Sequence, residues 1–157
     1  MRLRTAPDAP VAWIPRDEPA IDFDRWDESA RKAYFSPGEE CDYTLPPIRP
    51  GEKPFTVYFR PMSVSDYMRI SALMSQHASP FEAADVQAEI LRATVVRIEG
   101  AGELRDGVAV EVPPERLVRE GVLTDEGLSF FSHPLLALEA TIAAWIVSCS
   151  RYGRPGV

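Results

Sequence analysis

The side chains with the most versatile chemistry in this chain are two histidines and two cysteines. His77 and His133 fall on different predicted elements, and neither has a cysteine or an acid at metal-ligand spacing. Cys149 occupies an apolar position of the last predicted helix, which is typical of a thiol packed in a core. Cys41 lies between acidic residues, which raise the pKa of a thiol and so oppose its activation as a nucleophile. We therefore predict no catalytic role, no metal site and no disulfide for these four residues.

The acidic residues are the next candidates for chemistry. Glu82, Asp85 and Glu89 share a helical spacing in the early turns of one predicted helix, which favours a solvated face and the helix dipole over a catalytic pair. The alternating charges between residues 16 and 24 lack the full spacing of a calcium loop. Gly100-Ala101-Gly102 is not followed by Lys-Ser/Thr, so it indicates a helix end rather than a phosphate loop. The sequence therefore predicts no cofactor and no enzyme.

Charge and hydropathy exclude two further classes of partner. The 157 residues carry 24 acids against 17 bases, a formal net charge of −7. A nucleic-acid binder or a protein of anionic membrane surfaces would need clustered lysine and arginine instead. No apolar stretch of signal-peptide length follows Met1, and the longest apolar run, Leu135–Cys149, is shorter than the roughly 20 residues of a membrane span. We expect neither nucleic acid nor membrane as a partner, and a location in the cytoplasm.

Residues 1–54 differ in composition from the rest and hold nine of the 15 prolines. That density excludes a long helix or a central strand, apart from one short helix predicted from Asp24 to Phe35. Large apolar side chains recur along the segment, so we predict a long extended arm whose anchors bind pockets on the body or on a neighbouring subunit. The predicted partner-binding anchors are Trp13, Ile14, Phe23, Trp26, Tyr34, Phe35 and Tyr43.

Residues 55–157 have the patterns of a compact body. Alternation over Phe55–Arg60 predicts a strand. Ser63 is the predicted cap of a helix that runs to about Gln76. A second helix is predicted from an N-cap at Ser79, with Pro80 in its first position, to Gly100.

The rest of the body continues with a hairpin around Asp106-Gly107, whose return strand ends at Val112. A short helix, Glu115–Glu120, and a helix start at Thr124 follow. The last predicted helix runs from Pro134 to about Ser150 and stops at Gly153. Its predicted buried stripe consists of Leu135, Leu138, Ile142, Trp145, Ile146 and Cys149.

These elements predict an α+β fold. It consists of a small antiparallel sheet, built from Phe55–Arg60 and Val108–Val112 and packed by three or four helices. The long Pro-rich extended arm precedes it. The chain is accordingly divided into an arm, residues 1–54, and a compact body, residues 55–157.

Residues 54–67 combine a strand that ends in Arg-Pro-Met with a polar cap and a helix. This order resembles the opening of small tailed-bacteriophage morphogenesis proteins, especially the tail-assembly-chaperone-like ones. Residues 89–100, followed by Asp106-Gly107 and residues 110–113, are similar to their middle helix, turn and return strand, and residues 13–19 resemble their lead-in. The resemblance covers about half of the chain. Arg97-Ile98 stands where that family has a tryptophan-containing stretch, residues 20–53 form a long insertion, and the last helix lies outside the match.

The resemblance implies a non-enzymatic morphogenesis protein that binds other phage structural or assembly proteins through its arm and apolar helix faces. It also implies action in the host cytoplasm during assembly, and we expect self-association. One alternative is a structural component of the virion, at the neck, tail or capsid surface, whose arm holds neighbouring subunits together. A more distant alternative is a small enzyme with a site where the arm meets the body.

Overall fold

The computed structural model describes residues 9–38 and 40–152, with side chains as far as Ser150. Helices and small antiparallel sheets make up the fold, so the predicted α+β class is confirmed. Residues 1–8 and Glu39 of the predicted arm lie outside the described residues, as does Gly153, the predicted stop of the last helix.

A three-stranded antiparallel sheet joins the two halves of the chain. Its strands are β1 (Val11–Trp13), β2 (Thr56–Phe59) and β3 (Val95–Glu99), in the order β1-β2-β3. Trp13 of β1 pairs with Val57 of β2, which pairs in turn with Ile98 of β3. The central strand β2 therefore has hydrogen-bonding partners on both edges, and one of them comes from the predicted arm.

The arm contains one short helix, but its bounds differ from the prediction of Asp24 to Phe35. Phe23–Arg25 form a 3₁₀ turn, and helix α1 covers Glu28–Ala33. The carboxylate of Asp27 accepts a hydrogen bond from the Ala30 N–H at 3.2 Å. This cap starts a new helix after the 3₁₀ turn and so divides the predicted one.

Helix α2 spans Val64–Met74 and begins where its cap predicts. The hydroxyl of Ser63 accepts a hydrogen bond from the Asp66 N–H at 3.1 Å. The predicted cap is therefore confirmed, because this bond satisfies one of the backbone donors that a helix start leaves without a partner.

Helix α3 spans Ala84–Thr94 and differs from the prediction at both ends. At the start, Pro80–Glu82 form a 3₁₀ turn and Ser79 makes no side-chain cap, because extended backbone at Ala83 separates the turn from α3. At the end, the chain passes directly into β3 instead of remaining helical to Gly100. The β-branched residues of β3 favour extended backbone, and pairing with β2 satisfies their polar groups.

The predicted hairpin forms, but in another place. Strands β4 (Gly102–Arg105) and β5 (Val108–Glu111) pair around Asp106 and Gly107, which have φ angles of 51° and 79°. They make a separate two-stranded sheet. The sheet predicted from Phe55–Arg60 and Val108–Val112 is therefore wrong, because β1 and β3 already occupy both edges of β2.

In the C-terminal third, short helices and short strands precede the long last helix. Helix α4 covers Pro114–Leu117, so the helix predicted over Glu115–Glu120 ends earlier. The strands β6 (Val118–Arg119) and β7 (Val122–Leu123) then pair with each other. Helix α5 (Asp125–Ser129) starts at the predicted cap, since the Thr124 hydroxyl accepts from the Gly127 N–H at 3.0 Å. Helix α6 spans Pro134–Tyr152.

Helix α6 packs on α3 with small residues instead of the predicted stripe of large ones. The buried positions are Ala137, Ala140, Thr141, Ala143, Ala144, Val147 and Ser148. Of the predicted stripe, Leu135 is 52% exposed and the other members are half-buried. Small side chains allow close approach of two helices, and the sequence period alone does not distinguish an alanine face from a leucine face.

One hydrophobic core includes residues of both the arm and the body. Trp13, Tyr34 and Phe35 belong to the same buried cluster as Val57 and Phe59. The rings of Trp13 and Phe59 lie 5.9 Å apart between centroids. The described part of the arm therefore packs on the body of its own chain.

Candidate functional site

His77 lies after the end of α2, and its Nε2 is 3.1 Å from Oδ2 of Asp85 in α3. Desolvation raises the pKa of Asp85, but the hydrogen bonds from His77 and from the Val86 N–H outweigh it and lower the pKa. Neither residue lines the cavities described below. The contact between His77 and Asp85 connects two helices. The sequence does not reveal it, because the two residues belong to separate elements that meet only in the fold.

The other candidates for chemistry are dispersed. Cys41 and Cys149 are half-buried, and His133 is exposed at the start of α6. Within residues 9–38 and 40–152, no group of three or more His, Cys, Asp or Glu side chains is arranged to hold a metal ion.

The predicted anchors divide into a buried and an exposed group. Trp13, Ile14, Tyr34 and Phe35 are at most 5% exposed, so their surfaces are used within the chain. The remaining three are half-buried Trp26, Phe23 at 43% exposure and Tyr43 at 38% exposure.

Phe23 and Trp26 form an aromatic surface together with a basic residue. The Arg31 guanidinium lies 5.1 Å from the ring centroid of Phe23 and 5.8 Å from that of Trp26, which is cation–π geometry. The third of these anchors, Tyr43, has its ring centroid 4.8 Å from that of buried Phe35.

Polar contacts of Tyr34 fix the arm. The backbone N–H of Ile14 donates to the Tyr34 hydroxyl at 2.7 Å. The Arg16 guanidinium donates to the carbonyl oxygen of Tyr34 and to Oγ of Ser36. Burial raises the pKa of Tyr34, so the hydroxyl stays protonated. These contacts close residues 14–36 into a folded unit on the body.

One cavity is a groove between α3 and α6, with a volume of about 770 Å³. We call it the α3–α6 groove. Its lining is mostly apolar, with alanines from α3 and leucines from α6. The lining residues are Glu82, Ala84, Gln87, Ala88, Leu91, Leu128, Phe131, Ser132, Pro134, Leu135, Ala137 and Leu138. Such a groove accepts apolar side chains of another polypeptide. The sequence does not indicate it, because the apolar stripe predicts Leu135 and Leu138 to be buried in the core.

A second cavity of about 400 Å³ lies where the arm crosses the body, and we call it the junction cleft. Its apolar surface includes Phe55 and Phe130, whose rings are stacked with centroids 6.5 Å apart. The lining residues are Pro15, Asp17, Glu18, Pro19, Phe55, Phe130, His133 and Leu136. Glu139 lies one turn beyond Leu136 on α6 and lines a neighbouring cavity of about 80 Å³.

Two carboxyl groups, Glu18 at the junction cleft and Glu139 at the smaller cavity, have perturbed acidity. Burial raises the pKa of Glu18, and the backbone N–H groups of Ala20 and Phe55 lower it only in part. Burial also raises the pKa of Glu139, where Arg16 has a lowering and Asp17 a raising effect. A nearby cation favours the charged form of a carboxyl group, as Arg16 does for Glu139.

None of the described helices combines the length and apolarity that crossing a bilayer requires. Comparison of the chain with protein-family models, with curated proteins and with solved structures gives no match in any of the three.

Proposed function

We propose that this chain is a non-enzymatic bacteriophage morphogenesis protein, similar to tail-assembly chaperones, that binds other phage structural or assembly proteins. The α3–α6 groove is the observation that carries this proposal. It is about 770 Å³ in volume and mainly apolar, and Leu135 on its rim is 52% exposed. The sequence resemblance supports the class of protein, and the groove supports binding of a polypeptide as its means of action.

The shape of the groove suits an amphipathic partner helix. Ala84 and Ala88 leave room on α3, while Leu135 and Leu138 form the opposite wall on α6. Large apolar side chains of a partner would enter between these walls, as in helix-in-groove recognition. Each such side chain would contribute roughly 1.5–3 kcal/mol on complete burial, before the cost of association is subtracted.

The hairpin β4–β5 favours the second candidate, a structural component of the virion. Leu104 is 77% exposed and Val108 is 62% exposed. In the described part of the chain, β4 and β5 pair only with each other. Unpaired edges with apolar side chains are surfaces through which identical subunits associate, so this hairpin is where we expect self-association.

Substitution in the groove tests the proposal. The full chain, tagged, is expressed during phage infection, and co-purifying phage proteins are identified by mass spectrometry. We expect Leu135→Asp to lose these partners because it places a charge on the groove wall. Met68→Asp, at a site that is 67% exposed on α2, is the matched control and should keep them. Retention of every partner by folded Leu135→Asp would contradict a role for the groove.

A protein inventory of purified phage particles separates the two candidates. An assembly chaperone should be absent from finished particles but present in infected-cell extracts. A structural component should remain in the particles at a fixed ratio to the other subunits. A phage lacking the protein should in either case fail in assembly, and normal particle yield would contradict both candidates.

A further inference from the structure

Strand β4 has an open edge. In the part of the chain that the structure describes, β4 and β5 form a sheet of two strands only, so β4 pairs on one side and not on the other. Leu104 lies within β4 and is 77% exposed. Backbone polar groups and an apolar side chain therefore meet water together at this edge, which is the combination that accepts a further strand.

The turn of the hairpin determines which backbone groups point to the open edge of β4. Asp106 and Gly107 both have positive φ angles, 51° and 79°, as in a two-residue type I′ turn. Such a turn joins Arg105 and its partner across the turn by hydrogen bonds. Hydrogen-bonded and non-hydrogen-bonded pairs alternate in an antiparallel ladder, so the next pair, Leu104 with Ala109, is of the second kind. The N–H and C=O of Leu104 therefore point away from β5.

The charges on β4 favour one register for pairing with a second copy. Two β4 strands that pair antiparallel are related by a two-fold axis. With Leu104 on this axis, Glu103 of each copy lies opposite Arg105 of the other, and two pairs of opposite charge form. Moving the axis by one residue places either two glutamates or two arginines opposite each other, and like charges in opposite positions destabilise a sheet. Of these three registers, only the one centred on Leu104 is self-complementary.

Contacts within the hairpin are compatible with this pairing. The Glu103 carboxylate accepts from the guanidinium of Arg105 at 2.9 Å and from that of Arg116 at 3.0 Å. Glu103 and Arg105 thus lie on one face of the hairpin, and Leu104 lies on the other. The Arg105 side chain is 62% exposed, so its guanidinium is accessible to the carboxylate of a second copy. Arg116 keeps its own bond to Glu103 in that arrangement.

We propose that two copies of this chain associate through their β4 edges, as an antiparallel pair centred on Leu104 that joins both hairpins into one four-stranded sheet. The inference rests on the proposed function in one respect, because it deepens the self-association expected of the hairpin by naming its edge and register. Strand β4 has four residues, and such an edge is small beside the roughly 1,200–2,000 Å² of a stable interface. We therefore expect a reversible dimer.

Exchange of charges tests the partner and the register. Sedimentation velocity of the full chain at pH 7, from about 10 µM to about 1 mM, should show a monomer–dimer equilibrium. Arg105→Glu and Glu103→Arg should each raise the dimer Kd by about tenfold or more, because like charges then lie opposite each other twice. An equimolar mixture of the two variants should form heterodimers, in which every pair is again of opposite charge. Arg119→Glu makes the same charge change at an exposed site on β6 and should dimerise like the unmodified chain.

Two outcomes of the sedimentation experiment would overturn the proposal. One is a monomer over the whole concentration range. The other is a mixture of Arg105→Glu and Glu103→Arg that associates no more strongly than either variant alone, since this would exclude the register centred on Leu104.

Proline substitutions identify the edge. Leu104→Pro removes an N–H that points to the open edge of β4 but no bond to β5, and it should weaken dimerisation by about tenfold or more. Ala109→Pro makes the matched change on the opposite edge of the hairpin and should leave the dimer intact. Retention of the dimer by folded Leu104→Pro would overturn the proposal, whether or not Ala109→Pro loses it. The charge variants keep the backbone of β4 and decide the question where circular dichroism shows a proline variant to be unfolded.

Failure of this inference is distinguishable from failure of the proposed function. If the chain stays monomeric, Leu135→Asp should still lose its phage partners. If no phage protein co-purifies with the chain, sedimentation still reports on the dimer. A monomeric chain that loses one phage protein through Leu104→Pro would show that the β4 edge binds a strand of that protein, which would overturn pairing with a second copy.

Discussion

The backbone N–H of Ile14 donates a hydrogen bond of 2.7 Å to the hydroxyl of Tyr34. Both residues are at most 2% exposed, so water does not replace this bond when it is lost. A buried N–H without an acceptor costs about 1–3 kcal/mol. The phenol therefore links two distant parts of the proline-rich segment and is an integral part of its folded state.

Tyr34→Phe should lower the free energy of unfolding by about 1–3 kcal/mol, because it leaves the Ile14 N–H without its acceptor. Urea denaturation of the full chain measures the change. Tyr58→Phe is the control, since its hydroxyl bonds Glu99 at 3.2 Å in a half-exposed position where water can substitute. A larger loss for Tyr58→Phe than for Tyr34→Phe would argue against this account of the arm.

Two glycine substitutions distinguish the effect of backbone strain on stability from the effect of close packing. They are Gly100→Ala and Gly107→Ala. Both glycines have left-handed φ angles, 72° and 79° respectively, which cost an L-residue roughly 1–2 kcal/mol. A Cβ at Gly100 would lie 2.2 Å from the carbonyl oxygen of Pro54, whereas one at Gly107 meets nothing within 4 Å. We expect Gly100→Ala to be the more destabilising by at least about 1–3 kcal/mol in urea denaturation. Equal losses would show that Pro54 does not approach this turn.

The inward face of α6 can be tested with two substitutions on the same helix. Ala140 is completely buried, so Ala140→Leu should destabilise the fold by about 1–3 kcal/mol through overpacking. Leu135→Ala, at a side chain that is 52% exposed, should change stability by less than about 0.5 kcal/mol. Thermal and urea unfolding both report the difference. The reverse order of effects would indicate that the face predicted from the hydrophobic stripe, which contains Leu135, is the buried one.

Glu139→Gln should stabilise the protein at pH 7. Burial raises the folded-state pKa of Glu139 above its ordinary value of 4.5, so the folded state binds the proton more tightly than the unfolded state. The tighter proton binding at Glu139 stabilises the fold below the unfolded-state pKa of this carboxyl. This stabilisation is lost as pH rises through the folded-state pKa. Arg16 and Asp17 are the charged groups that act on this carboxyl.

Glutamine carries no charge, so the Tm advantage of Glu139→Gln should be positive at pH 7 and shrink towards pH 4. Differential scanning calorimetry at both pH values measures it, with Asp24→Asn as the control for the loss of one negative charge. An advantage that does not change with pH would mean that burial of the charge is not its cause.

Local signals in the sequence predict the starts of several elements correctly. Ser63 and Thr124 each accept the hydrogen bond that their capping pattern predicts, and Asp106-Gly107 forms the expected hairpin turn. These features depend on residues within four positions of each other, so local sequence determines them. The α+β class follows because such elements must cover one another's apolar faces.

Features that depend on distant contacts were not predictable in the same way. Val95 and Ile98 satisfy a helical as well as an extended pattern, and only pairing with β2 selects the strand. The alanine face of α6 is buried because α3 lies against it, which no helical periodicity shows. The junction cleft brings together Glu18, Phe55, Phe130 and Leu136 from four separate segments, so it exists only after folding.

The pairing of β1 with β2 has a consequence for synthesis of the protein. Val11–Trp13 leave the ribosome well before Thr56–Phe59, the strand that they pair with, because translation proceeds from the N-terminus at roughly 5–20 residues per second. During that interval the nascent chain holds Trp13 and Ile14 in water without their later neighbours. We expect substitutions that delay the docking of β1 to lengthen this exposure and to reduce the yield of dispersed protein, even where the finished fold is stable.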